Sequence, residues 1–153
     1  MGYTTDFEGS FKLNKKLDKK THDFLNKLGN TRRMARNVKG YGIEGEFYVD
    51  GESDFGQDSD KNIMDYNRPP DTQPGLWCHW VPSEDGKSIE WDGGEKFYEY
   101  VAWIEYIIDK VLGPKGYTLT GTVEWTGENR DDLGKIVIKK NKVKILNGTI
   151  AYS

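Results

Sequence analysis

The chain has 153 residues and a formal net charge of −3, and 31% of its residues are charged. This length suits one domain that buries a core without disulfides, and 5 Trp, 9 Tyr and 6 Phe are more aromatic residues than a disordered chain carries. The acidic balance gives no electrostatic reason to bind a nucleic-acid backbone, so we expect no nucleic-acid partner. Cys78 is the lone cysteine and no apolar run opens the sequence, which predicts a cytoplasmic protein without membrane association.

The first half of the sequence predicts a strand, a helix and a second strand before a long loop. Residues 3–13 alternate apolar and polar side chains, which is typical of a half-buried strand, and Gly9 predicts a bulge or kink within it. Asp18 is a favourable N-cap for a short amphipathic helix that ends at Gly29. Residues 46–49 have strand character. Residues 50–75 are acidic, contain several prolines and show no periodicity, so we expect a long loop there.

The second half predicts two hairpins separated by a long helix. Residues 76–81 and 88–92 form strands around an Asp85–Gly86 turn. A helix is expected from 95 to 112, because its apolar residues recur with a period of 3.6. Strands follow at 117–125, 136–138 and 143–145. The sequence therefore predicts one α+β domain over 1–153, with two helices on a mainly antiparallel sheet of roughly five to seven strands in the order β-α-β-β-β-α-β-β-β.

The register of the first hairpin groups the most informative polar side chains. A two-residue Asp85–Gly86 loop pairs Trp80 with Trp91 and places His79 opposite Asp92. Strand parity then assigns Cys78, Trp80, Ile89 and Trp91 to the core, and Trp77, His79, Glu90 and Asp92 to the other face. A slip of one residue would reverse this assignment.

The second face allows two interpretations. His79 beside carboxylates could act as a general acid or base, and Glu90 beside Asp92 could share a proton or hold a cation. The same residues could equally form an ordinary ion pair on a solvated sheet face. Cys78 is expected to be a small core residue, because neighbouring strand residues point to opposite faces and cannot form a catalytic pair.

Residues outside the hairpin extend the candidate site. Arg32 and Arg33 could bind a phosphate or carboxylate, or could lie on the surface in ion pairs with the acidic loop. Asn67 and Gln73 lie in a proline-containing segment that could wall a pocket above Trp77, or could be a stiff connector. One cysteine and two histidines without recognisable spacing predict no metal site, and we expect no cofactor.

Three strings of the sequence are distinctive: residues 1–7 (MGYTTDF), 73–78 (QPGLWC) and 90–98 (EWDGGEKFY). Through these strings the chain resembles a family of small uncharacterised bacterial and phage proteins, and the resemblance covers nearly the whole chain. It implies no activity and no site residues. The phage association is compatible with a role in host–phage conflict, on association alone.

The leading functional hypothesis is a non-enzymatic binding protein for a small polar or nucleotide-like ligand. The proposed ligand stacks on an aromatic side chain and is read by Asn, Gln and Arg. A hydrolase or transferase that uses His79 with Glu90 and Asp92 is the first alternative. A protein–protein adaptor that uses the lysines of the last hairpin is the second, although lysines there also protect an edge strand.

Overall fold

The computed structural model describes residues 2–49 and 61–149. These residues form eight strands and two α-helices. The strands are β1 (Thr5–Leu13), β2 (Ala35–Arg36), β3 (Ile63–Asp65), β4 (Trp80–Pro82), β5 (Ser88–Trp91), β6 (Leu119–Gly127), β7 (Leu133–Lys139) and β8 (Lys142–Asn147), and the helices are α1 (Lys19–Asn30) and α2 (Tyr100–Ile107). Among the described helices, none is both long enough and apolar enough to cross a membrane.

Six strands form an antiparallel sheet in the order β4-β5-β1-β6-β7-β8, and β2 and β3 form a separate two-stranded sheet. This architecture confirms the predicted α+β class. Strand β1 lies inside the sheet and pairs with β5 on one side and β6 on the other. Gly9 adopts a φ of 106°, and the β1–β6 register continues through it, so the predicted irregularity is a bend without an inserted residue.

One apolar core covers a single face of the large sheet. Alternate residues of β1 and β6, such as Phe11 and Val123, are fully buried, whereas Glu8 and Glu124 on the other face are exposed. Both helices contribute to this core, α1 through Leu25 and Leu28 and α2 through a longer apolar surface that continues into a π-helical turn at Ile108–Leu112. The half-buried strands of the prediction follow from this one-sided packing.

The first hairpin has the predicted register. Trp80 pairs with Trp91, and the amide of Asp92 donates to the carbonyl of His79 at 2.9 Å. Three of the four residues that strand parity assigned to the core, Cys78, Trp80 and Ile89, are buried. The fourth, Trp91, is half-buried and packs against the edge of the core. Next to the turn, the amide of Ser83 donates to the carbonyl of Ser88, which continues the same pairing.

Three predicted elements differ from the structure in their existence or their bounds. Residues 46–49 are not a strand, because Glu46 is buried and anchored by side chains from distant parts of the chain. Residues 76–79 precede β4 without strand pairing, and residues 95–99 are not helical. The predicted loop over 50–75 contains β3 near its middle, while residues 50–60 lie outside the described residues.

The N-cap of α1 makes stability sensitive to acid. Asp18 accepts from the amide of Thr21 at 2.8 Å and from its hydroxyl at 3.0 Å, and these bonds hold the pKa of the carboxyl below its usual value. A depressed folded-state pKa gives stability that is present above the unfolded pKa of about 3.9 and lost as pH falls through the folded value. We expect the urea midpoint of Asp18→Ala to lie below that of wild type at pH 7 and to approach it near pH 2. A constant difference across pH would contradict this role.

Candidate functional site

A groove of about 820 Å³ opens beside the outer end of the first hairpin. Its wall combines two aromatic rings, two amide side chains, two prolines and several charged groups. The lining residues are Gly29, Asn30, Asn67, Pro69, Pro74, Gly75, Leu76, Trp77, His79, Asp92, Glu95, Lys96, Tyr98 and Glu99. This volume lies within the range of small-molecule sites.

The hairpin end supplies a His–Asp pair. Nδ1 of His79 lies 3.0 Å from both carboxylate oxygens of Asp92, because the register places the two residues opposite each other. The edge of the His79 ring packs at 5.0 Å between centroids against Phe97, which is buried. A carboxylate at Nδ1 favours the tautomer that carries its proton there, which leaves Nε2 as the basic nitrogen.

Gly94 allows this pair to form. Its amide donates to Oδ1 of Asp92 at 2.7 Å, and a Cβ at this position would lie 2.5 Å from Nδ1 of His79 and 2.8 Å from Oδ1 of Asp92. Any larger residue would therefore force the imidazole or the carboxylate to move. The second glycine of the Gly93–Gly94 pair is thus explained by close approach of the backbone to the His–Asp pair.

The rim of the groove between Glu95 and Glu99 has an unusual backbone. Lys96 and Glu99 adopt left-handed conformations with φ of 59° and 57°. Between them Phe97 inserts into the core, and the Tyr98 hydroxyl accepts from the amide of Tyr3 at 3.0 Å. Strained non-glycine residues persist where surrounding contacts fix them and occur often at ligand sites.

The opposite wall rests on a buried polar cluster. Gln73 donates from Nε2 to the carbonyl of Glu46 at 2.6 Å and to the Tyr106 hydroxyl at 3.1 Å. Arg33 donates to the carbonyls of Glu46 and Tyr48, and its own amide donates to the carbonyl of Leu76. The cluster therefore fixes the chain immediately before Trp77.

Negative groups outnumber positive ones around the groove. Among the described lining residues there are three carboxylates, from Asp92, Glu95 and Glu99, against one ammonium, from Lys96, and the imidazole of His79. Negative charges in the wall repel an anionic ligand and attract a cationic one, most strongly where the wall excludes water. The groove is therefore electrostatically suited to a neutral or cationic ligand.

The structure brings together only part of the predicted site. Trp77, His79, Asp92 and Asn67 all line the groove. Arg32 lies behind Asn67, with Nη2 3.4 Å from its Oδ1.

Three other predicted residues do not reach the groove. Glu90 pairs with Val81 and Ser10 inside the sheet. Arg33 and Gln73 are buried within the polar cluster, where burial lowers the pKa of the Arg33 guanidinium to about 10 and leaves it protonated at neutral pH. These two side chains support the wall.

The sequence interpretation missed the rim residues, because it placed residues 95–99 in a helix. The available signal was the Gly93–Gly94 pair, because two adjacent glycines after a strand permit an extended turn before the helix begins. Tyr98 is half-exposed and lines the groove from this rim. Asn30 was also missed, because the helix was predicted to end at Gly29, whereas α1 continues through Asn30 and this residue lines the groove.

Among the described residues, nucleophilic chemistry has few candidates. Within residues 2–49 and 61–149, the groove lining contains no serine, threonine or cysteine. Cys78 is fully buried, and burial raises the pKa of its thiol to about 12, so the thiolate is scarce at neutral pH. No group of three or more His, Cys, Asp or Glu side chains in the described part of the chain is arranged to hold a metal ion.

Comparison with models of known protein families, with curated proteins and with solved structures finds no match to this chain. The function is therefore interpreted from the geometry of the groove.

Proposed function

We propose that the protein is a non-enzymatic binding protein whose groove takes a small polar ligand with a flat face. The observation that carries this proposal is the concave surface of about 820 Å³ that joins Trp77 and Tyr98 to the Asn67 amide and the His79–Asp92 pair. Aromatic rings provide area for stacking, while a few fixed polar groups provide orientation and specificity.

The charge of the groove narrows the ligand class. Asp92, Glu95 and Glu99 would repel phosphate groups, whereas their carboxylates accept hydrogen bonds from hydroxyls and amines. A nucleoside, an amino sugar or an aromatic amine satisfies these groups better than the corresponding phosphate ester. Within the nucleotide-like ligands that the sequence predicted, we therefore favour the nucleoside, which has the base and the sugar but no phosphate. The bacterial and phage resemblance adds host–phage conflict as a setting, by association alone.

Ligand-dependent thermal unfolding tests the proposal. The panel consists of nucleosides, the matching nucleotides, sugars, amino sugars and polyamines. We expect a neutral or cationic compound to raise the melting temperature of wild type, because a ligand bound at 100 times its Kd adds about 2.7 kcal/mol to stability. The matching phosphate ester should give a smaller shift. A larger shift with the phosphate ester would contradict the charge argument.

Two tyrosines offer a matched pair of variants. Tyr98 lines the groove, while Tyr41 lies outside it with a similar exposed fraction, 43% against 52%. Tyr98→Ala should reduce the ligand-induced shift, and Tyr41→Ala should leave it unchanged. Trp77→Leu, which removes a lining ring, should reduce the shift further. Equal responses of the two tyrosine variants would place the ligand elsewhere.

A hydrolase or transferase is the second candidate, favoured by one observation. Asp92 lies 3.0 Å from Nδ1 of His79, an arrangement that orients an imidazole as a general base. The described lining residues include no serine, threonine or cysteine, so with these residues His79 would have to activate water or a second substrate. Recovery of the bound compound unchanged after prolonged incubation supports the binding protein. Conversion by wild type that His79→Gln abolishes would establish the enzyme instead.

A further inference from the structure

Four lysines surround a second depression, which shares no lining residue with the groove. This depression has a volume of about 430 Å³ and lies where the end of β1 meets the β4–β5 hairpin. Lys12, Lys15, Lys16 and Lys87 line it, and all four are exposed. The cluster opposes the net charge of −3 on the whole chain, so it concentrates positive charge at one place.

The backbone that carries these lysines is fixed from three sides. Lys12 pairs with Ser88 in the sheet, and the amide of Leu13 donates to the carbonyl of Lys87 at 2.9 Å. Asn14 exchanges hydrogen bonds with Thr118, through its own amide and through its side-chain oxygen.

The third tether closes the turn after Lys15 and Lys16. The amide of Leu17 donates to the carbonyl of Gly86 at 2.9 Å. The depression is therefore built on an ordered backbone, and a ligand need order only the lysine side chains, which lowers the entropic cost of binding.

Little negative charge compensates these ammonium groups, although Nζ of Lys15 also lies over the Tyr117 ring, 5.0 Å from its centroid. Within residues 2–49 and 61–149, no carboxylate lies within 4.0 Å of any of the four ammonium groups. Among the described residues of the lining, Asp85 is the one that is acidic. Its Oδ1 accepts from the Ser83 hydroxyl at 2.6 Å and from the amide of Lys87 at 3.0 Å, so this carboxylate is engaged locally. Four cations against one anion leave an excess that an incoming anion can satisfy.

We propose that the depression framed by Lys12, Lys15, Lys16 and Lys87 is a second binding site, which takes a small ligand with two or more phosphate groups. Lysine ammonium groups bind phosphate as point charges, and several around one concavity favour clustered phosphates over a single carboxylate. The concave shape and the limited volume favour a compact ligand over a polymer backbone, which needs an extended surface. This site is independent of the groove and of its proposed ligand.

Calorimetric titration with inorganic tripolyphosphate tests this site. We expect wild type to bind it, with an affinity that falls as salt is raised, because the contacts are between exposed charges. Lys15→Gln/Lys16→Gln should bind about tenfold more weakly. Lys142→Gln/Lys144→Gln is the matched control, since it removes the same two charges from exposed positions of β8, and it should bind within about twofold of wild type.

A third variant reverses the sign of the effect. Asp85→Asn keeps an acceptor oxygen for Ser83 and Lys87 but removes the competing charge, so it should bind tripolyphosphate more tightly than wild type. Weaker binding by this variant, absence of binding by wild type, or equal weakening in both lysine pairs would overturn the proposal. Tighter binding of a single-stranded oligonucleotide than of tripolyphosphate, with the same response to the variants, would overturn the small-ligand assignment.

Discussion

Arg33→Ala is expected to lower the free energy of unfolding by about 3 kcal/mol. The side chain is only 2% exposed and donates to the carbonyls of Glu46 and Tyr48. Its removal leaves both carbonyls without these donors and opens a void the size of a long side chain, two effects that each cost stability. Urea unfolding should show the loss, with a melting temperature about 6–12 °C lower.

Arg32→Ala is the matched control for this prediction. Arg32 is the preceding residue and is only half-buried, and its Nε donates to the carbonyl of Tyr66 at 3.1 Å. Exposed polar contacts of this kind contribute about 1 kcal/mol or less, so this variant should remain close to wild type. Equal losses in the two variants would show that Arg33 does not act as a buried hydrogen-bond donor to the 46–48 backbone.

The Arg33 variant also has a consequence for the groove. The amide of Arg33 donates to the carbonyl of Leu76, and Gln73 joins the same cluster through Glu46. These bonds hold the segment that leads into Trp77, so a loosened cluster should widen the groove wall before the whole domain unfolds. Ligand-induced stabilisation should therefore fall in Arg33→Ala even where the variant is still folded.

Local sequence signals were sufficient for the first hairpin. The Asp85–Gly86 turn defined the pairing of Trp80 with Trp91, and that pairing placed His79 opposite Asp92. Turn chemistry and strand parity act over a few residues, so a single sequence carries both.

The rest of the groove depends on contacts that no local pattern contains. Glu46 begins a segment with strand character. It is buried instead, and its carboxylate accepts hydrogen bonds from the hydroxyls of Thr72 at 2.6 Å and Tyr106 at 3.1 Å. These partners are 26 and 60 residues away. Propensity is a weak prior against such tertiary contacts, and the strand prediction failed for that reason.

Local sequence was also insufficient to place the two predicted anion-binding arginines. Because Arg32 and Arg33 are adjacent, the sequence predicted that they could bind the same anion. In the structure one is half-buried beside Asn67, while the other is buried under the backbone of residues 46–48. Burial of a charged residue depends on which carbonyls surround it, and that information is distributed along the chain.

The groove and the lysine depression divide the polar surface by charge. Carboxylates from Asp92, Glu95 and Glu99 dominate the groove, whereas Lys12 and its three partners dominate the depression. The carboxylates of the groove repel a polyphosphate, and a neutral or cationic groove ligand carries no negative charge for the lysines to bind, so the two predicted ligand classes should not compete. Simultaneous titration with a groove ligand and tripolyphosphate should therefore give additive shifts in melting temperature.

Trp80→Ala is expected to lower the free energy of unfolding by about 4 kcal/mol. Trp80 is 1% exposed, and its ring packs against Phe7 and Phe97 at 5.3 Å between centroids. Its Nε1 donates to the carbonyl of Tyr100 at 2.8 Å, so the residue joins the hairpin to the first turn of α2. The variant leaves a large cavity and removes this link, and chemical denaturation measures the loss.

Two variants separate these contributions. Trp80→Phe keeps an aromatic ring in the core but removes the donor to Tyr100, so we expect a loss smaller than that of Trp80→Ala. Trp91→Ala removes the cross-strand partner, which is only half-buried, and should cost less than Trp80→Ala because less apolar area returns to water. A larger loss in Trp91→Ala would mean that the outer edge of the core carries more of the stability than its centre.

His79 precedes Trp80 in the chain, so a domain that tolerates Trp80→Phe should also retain the His79–Asp92 pair that the groove uses.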